Sequence, residues 1–151
     1  MELILWRHAD AAPGADDLER KLTARGRKQA ARMAAWLRQH LPEKYSVYSS
    51  PAKRALQTAG ALDAPVRISE LLAPDASVAD VLKAAGWPGD EGSVVIVVGH
   101  QPTFGRVVAR LVGDTDCEVS IQKGALWWIE ARTKMGKTGV LVRAVTAPEF
   151  V

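Results

Sequence analysis

Val94-Val95-Ile96-Val97-Val98 constrains this chain more than any other segment: five β-branched apolar residues in a row, without alternation. A strand of that kind has no polar side to turn toward water. It must be covered on both faces, which places it at the centre of a parallel sheet with helices above and below. The run stops at Gly99-His100. A histidine at the mouth of a buried strand sits where open α/β sheets bind their ligands.

Three other segments repeat this design. Leu3-Ile4-Leu5-Trp6 leads into Arg7-His8, and Val47-Tyr48 leads through Ser49-Ser50-Pro51 to Arg54. A strand over about Val66 to Ser69 ends at Glu70. Helical patterns separate them. Thr23 is an N-cap candidate ahead of the stripe Ala30, Met33, Ala34, Leu37 and Leu41, which Pro42 closes. Ser50-Pro51 reads as an N-cap with proline at the first helical position, before Ala52, Ala55, Leu56, Ala59 and Leu62, with Arg54 off that stripe. Ser77 and Asp80 read as a capping box before Val78, Val81, Leu82 and Ala85, with Gly86 as the stop. Thr103 is expected to cap a helix carrying Phe104, Val107, Val108 and Leu111. Leu126 to Ala131 and Val140 to Val145 read as antiparallel edge strands flanking Met135 to Gly139. The expectation is one α/β domain over residues 1–151, a mainly parallel central sheet between helix layers with antiparallel strands at its C-terminal edge.

If the first four strands run parallel, Arg7, His8, Arg54, Glu70 and His100 all arrive at one rim. The residue types there suit phosphoryl transfer. Negative charge spreads over the equatorial oxygens of a phosphoryl group in flight, so fixed cations that hold it are catalytic. Arg7 and Arg54 each offer a planar fork of donors that cannot lose its charge. An imidazole beside them is pushed toward its neutral, nucleophilic form. His8 fits that role, and His100 fits a further donor to the phosphoryl oxygens.

The segments Arg7-His8-Ala9-Asp10, Leu22-Thr23-Ala24-Arg25-Gly26, Ser49-Ser50-Pro51-Ala52-Lys53-Arg54-Ala55-Leu56-Gln57-Thr58-Ala59 and Val98-Gly99-His100-Gln101-Pro102 together resemble the histidine phosphatase superfamily. The short chain and the Arg20-Lys21-Leu22-Thr23 approach to the first helix most resemble its SixA-type phosphohistidine phosphatases. The resemblance implies a phosphoglycerate-mutase-like fold and no cofactor. It implies that His8 accepts the phosphoryl group, that Arg7, Arg54 and His100 complete a pocket for a phosphate- or sulfate-like anion, and that Arg20 touches the substrate. Ala9 stands where many members have glycine. Larger members carry an insertion after the third strand that supplies an acidic proton donor. Here that stretch is short, leaving Glu70 or Asp75 as candidates.

Composition removes other classes. The pI is 9.2, yet the net charge is only +3 with acidic residues interspersed. The basic cluster Arg20, Lys21, Arg25, Arg27 and Lys28 reads as a solvated helix start without interleaved aromatics, so no nucleic-acid partner is expected. No apolar run approaches the roughly 20 residues of a membrane span, and Glu2 leaves no basic leader, so no membrane partner and a cytoplasmic setting are expected. A metal held by His8, His100 and Asp10 is set aside because adjacent arginines repel a cation. Cys117 is expected as a small, partly buried hydrophobe, His40 as a helix-terminal structural residue, and the five tryptophans as packing. The resulting expectation is a phosphatase working through phosphohistidine on His8, with a phosphorylated protein such as a histidine phosphotransfer domain as substrate. The alternatives are a small phosphomonoester as substrate and a non-catalytic phosphate- or phosphoprotein-binding module. A mutase suits this short chain less, for want of a lid.

Overall fold

The computed structural model describes residues 1–151, the side chain of Thr138 apart. In chain order its elements are β1 (Glu2–Arg7), α1 (Ala24–His40), β2 (Ser46–Ser49), α2 (Lys53–Gly60), β3 (Val66–Ile68), a 3-10 turn (Glu70–Leu72), α3 (Val78–Ala85), β4 (Val94–Gly99), α4 (Thr103–Gly113), β5 (Leu126–Lys134), β6 (Lys137–Thr146) and a final 3-10 turn (Pro148–Phe150). The strands form one six-stranded sheet in the order β3-β2-β4-β1-β5-β6. β3, β2, β4 and β1 are mutually parallel, and β5 and β6 add the antiparallel edge.

The unbroken apolar run at residues 94–98 is explained by this position. β4 lies between β1 and β2, with Val94, Ile96 and Val98 turned to one core and Val95 and Val97 to the other. β1 splits the same way: Leu3 and Leu5 pack with Phe104, Val107 and Val81, while Ile4 and Trp6 pack with Met33, Leu37 and Ala55. Helices α1 and α2 therefore cover one face, and α3 and α4 the other.

Several local expectations hold. Thr23 Oγ1 accepts from the Gly26 N–H, Ser77 and Asp80 form a reciprocal capping box, and Gly86 ends α3 in the left-handed region. Arg25, Arg27 and Lys28 lie on the exposed face of α1. Others are corrected. Ser50 does not cap α2, whose N-cap is Ala52 without a side-chain bond, and Leu62 lies beyond the helix end. Thr103 is the first residue of α4 after Pro102, and its hydroxyl donates to the Ala76 carbonyl at 2.8 Å, tying α4 to the start of α3. The loop expected over 135–139 shrinks to Met135-Gly136, both at positive φ (52° and 76°), as a two-residue hairpin turn demands. Cys117 is exposed rather than partly buried. No helix is long and apolar enough to cross a membrane.

Candidate active site

β1 and β4 pair in parallel from Glu2–Val94 to Arg7–Gly99, so their carboxyl ends finish side by side. The chain then leaves β1 toward α1 on one face and leaves β4 toward α4 on the other. That divergence opens a crevice, the place where doubly wound sheets bind ligands. Backbone bonds knit its floor: His8 N–H to the Gly99 carbonyl, Ser50 N–H to the Val98 carbonyl, and Gly124 N–H to the His8 carbonyl, each at 3.0–3.1 Å. The side chains that follow the three strands therefore meet.

His8 and His100 are 8% and 4% exposed, with ring centroids 5.1 Å apart. His8 Nδ1 lies 2.8 Å from the Ala9 carbonyl oxygen. A carbonyl only accepts, so Nδ1 carries the proton and Nε2 of the neutral ring presents a lone pair. Arg54 Nε donates toward that lone pair at 3.3 Å. Burial first, then the charges of Arg54, Arg7 and Arg20, pull the His8 imidazole from an ordinary 6.5 to about 4, against the Ala9 bond that raises it. Burial first, then His8, Arg54 and Arg7, bring His100 to about 3, with Asp17 opposing. Both rings are neutral at pH 7. His100 Nε2 lies 2.8 Å from Ser50 Oγ, and its Nδ1 lies 3.4 Å from Arg54 Nη2.

Arg54 is buried at 4% exposure in the first turn of α2. Arg7 donates through Nη1 to the Ile121 carbonyl, while its buried Nε has no partner among the described residues. An unsatisfied buried N–H is a standing cost, and a bound anion would remove it. Arg20 stands at the outer edge, donating to the Ala12 carbonyl at 2.9 Å and to Asp17 Oδ1 at 3.0 Å. Glu70 is exposed and opens the 3-10 turn past β3, which ends at Ile68 rather than at Glu70 as expected; β2 and β4 lie between β3 and β1, and the Glu70 side chain makes none of these contacts. Asp10 turns away to Lys123 at 2.7 Å and Thr23 at 2.8 Å.

Two residues of this cluster were not anticipated as such. Ser50 looks like a helix cap in sequence, but its hydroxyl accepts from the Ala52 N–H in a tight turn and meets His100. Asp17 grips Arg54 through its carboxylate, Nη2 to Oδ2 at 2.9 Å, and through its carbonyl. Only the Asp17–Arg20 spacing of three residues was visible locally.

Residues 3–73 match the family model described as histidine phosphatase superfamily (branch 1). A curated relative, the phosphohistidine phosphatase SixA homolog of Haemophilus influenzae, is 31% identical over 128 residues, covering 75% of this chain and 78% of that protein. The chain belongs to the histidine phosphatase superfamily. An uncharacterised Mycobacterium tuberculosis protein is 36% identical over 120 residues, covering 76% of this chain and 75% of its own. Among solved structures, protein histidine phosphatase SixA complexed with tungstate superposes with a TM-score of 0.78 at 26% identity, over 99% of each chain. The likeness along nearly the whole chain supports a phosphatase of this superfamily with the phosphoglycerate-mutase-like fold.

Proposed function

We propose that this protein is a phosphohistidine phosphatase in which His8 takes the phosphoryl group covalently. The observation that carries this reading is the His8 tautomer: Nδ1–H is committed to the Ala9 carbonyl, so the lone pair of Nε2 faces Arg54 in the crevice. Nε2 attacks phosphorus in line. The bond from phosphorus to the substrate nitrogen breaks, and a bond to Nε2 forms. The leaving imidazole takes its proton from solvent. Water then attacks phosphorus, the His8–phosphorus bond breaks, and inorganic phosphate departs. Arg54 Nε and Nη2 and the unpartnered Arg7 Nε bind the equatorial oxygens. His100 adds one more donor from Nδ1 when the Ser50 hydroxyl donates to Nε2, and Arg20 adds charge at the mouth.

A phosphohistidine on a protein, such as a histidine phosphotransfer domain, is the substrate this chemistry fits. A nitrogen leaving group needs less help from a strong acid than an alkoxide does. That agrees with the exposed Glu70 and with the short turn between β3 and α3. The likeness to SixA proteins supports the same choice, and the tungstate bound by one of them is an oxyanion of the same shape as phosphate.

The test is to quench turnover on a phosphorylated phosphotransfer domain and look for acid-labile, alkali-stable phosphate on this protein. Label on the parent and none on His8→Ala is the expected result. Label persisting in His8→Ala would remove His8 as nucleophile. Catalytic efficiency higher on small phosphomonoesters than on the phosphorylated domain would reassign the substrate.

A further inference from the structure

The surroundings of Arg54 hold one charged partner that the proposed chemistry does not use. The guanidinium points its Nε edge at His8, and its Nη2 lies 3.4 Å from His100 Nδ1, the side on which the phosphoryl group would sit. Its outer side is taken entirely by Asp17, whose carbonyl accepts from Nη1 and whose Oδ2 accepts from Nη2. The other carboxylate oxygen of Asp17 accepts from Arg20 Nη1 at 3.0 Å. The loop that carries Asp17 is itself fastened. Lys53 N–H donates to the Leu18 carbonyl at 2.8 Å, Lys53 Nζ pairs with Glu19, and Arg20 Nε holds the Ala12 carbonyl. The loop is thus tied to the first turn of α2, the turn that carries Arg54.

We propose that Asp17 is a positioning residue: its carboxylate and carbonyl fix the guanidinium of Arg54 in the plane that meets the phosphoryl oxygens between the two imidazoles. The proposal rests on the reading of Arg54 as a phosphoryl ligand. An arginine side chain keeps several free torsions, and a guanidinium fixed before substrate arrives loses less freedom at the moment of reaction. Without Asp17, the side-chain neighbours left to Arg54 in this cluster, among the described residues, are two neutral ring nitrogens at 3.3 and 3.4 Å, both long for hydrogen bonds. Asp17 also offsets Arg54 and Arg20 while no anion is bound. Its side chain is 53% exposed, so removing it opens no cavity in the core. A purely structural role would show itself in stability rather than in turnover.

The experiment compares Asp17→Ala and Asp17→Asn with the parent on a phosphohistidine-carrying peptide, and follows the Arg54 Nε–H resonance by NMR. Asp17→Ala is expected to lower kcat about tenfold to a hundredfold, the range for losing a hydrogen bond to a charged group, with KM changed less than about threefold. Asp17→Asn, whose amide oxygen still accepts, is expected to recover to within about threefold of the parent. The Arg54 resonance is expected to broaden or shift in the alanine variant alone. Three results would overturn the proposal. One is an Asp17→Ala kcat within about twofold of the parent, and another is Asp17→Asn as slow as Asp17→Ala. The third is faster turnover in Asp17→Ala with tighter inhibition by inorganic phosphate, which would make the carboxylate an occupant that substrate must displace. If the parent itself carries no phosphate on His8, the reading of the site fails. If the label forms and Asp17→Ala is indifferent, only the role of Asp17 fails.

Discussion

At the scale of single residues, the site depends on keeping two imidazoles uncharged among three guanidiniums. Burial does most of this, and the arginines reinforce it. The consequence for stability has a definite sign. Between pH 6.5 and about 4, the unfolded chain binds protons on residues 8 and 100 that the native chain refuses, so stability falls as pH falls through that window. Above about pH 6.5 the contribution is flat. Asp10, Asp17 and Glu130, held low chiefly by hydrogen bonds from Lys123, Arg54 and Arg132, respond further down. Urea midpoints measured between pH 6.5 and 5 therefore isolate the histidines. We expect the parent to lose stability across that interval and His100→Gln to lose distinctly less; equal slopes would mean His100 is not held neutral. The places of Arg7, His8 and His100 were readable because each ends or directly follows a strand pattern, and that of Arg54 because it opens the helix pattern after the second strand. The Asp17–Arg54 pair, 37 positions apart, was not, since no periodicity links a loop carboxylate to a helix three elements later.

At the scale of elements, the segment Leu22 to Gly26 does more than cap α1. Gly26 is buried against the backbone of the loop leaving β1, where an added Cβ would lie 1.9 Å from the Asp10 carbonyl oxygen. A clash with main chain cannot be relieved by rotating a side chain. Gly26→Ala is therefore expected to cost about 2 kcal/mol, a typical overpacking penalty, and to lower kcat as well, because Asp10 lies two residues from His8. Denaturant midpoints and single-turnover rates read both effects, and an unchanged midpoint would refute the close approach. Glycine here serves contact distance, which its sequence context could only suggest. Ser50-Pro51 misled for a related reason. Its composition suits a helix start, but the Ser50 hydroxyl is used within a turn and at His100, and α2 begins later at Lys53.

At the scale of the whole molecule, the strand order decides what the chain can do. β4, late in sequence, inserts between β1 and β2, and the chain leaves β1 and β4 toward opposite faces. That single crossing brings residues 7–8, 50–54 and 99–100 to one crevice. It also sets where the fold is firmest. β1 and β4 are hydrogen-bonded on both edges and covered on both faces, whereas β3 is a short edge strand and β6 has a free edge. Native-state hydrogen exchange is expected to be slowest in β1 and β4 and fastest in β3 and at the Met135-Gly136 turn; faster exchange in β4 than in β3 would contradict this order. The amino-acid sequence by itself determined the layered α/β class, the buried character of residues 94–98 and the strand-end placement of the two histidines. Hydrophobic period and strand length are local properties, and they carry that much. Which strand lies beside which, the tautomer of His8, the partner of Ser50 and the grip of Asp17 on Arg54 were decided only by the tertiary structure. Each depends on distances between segments remote along the chain, and those distances exist only once both cores have closed around the sheet.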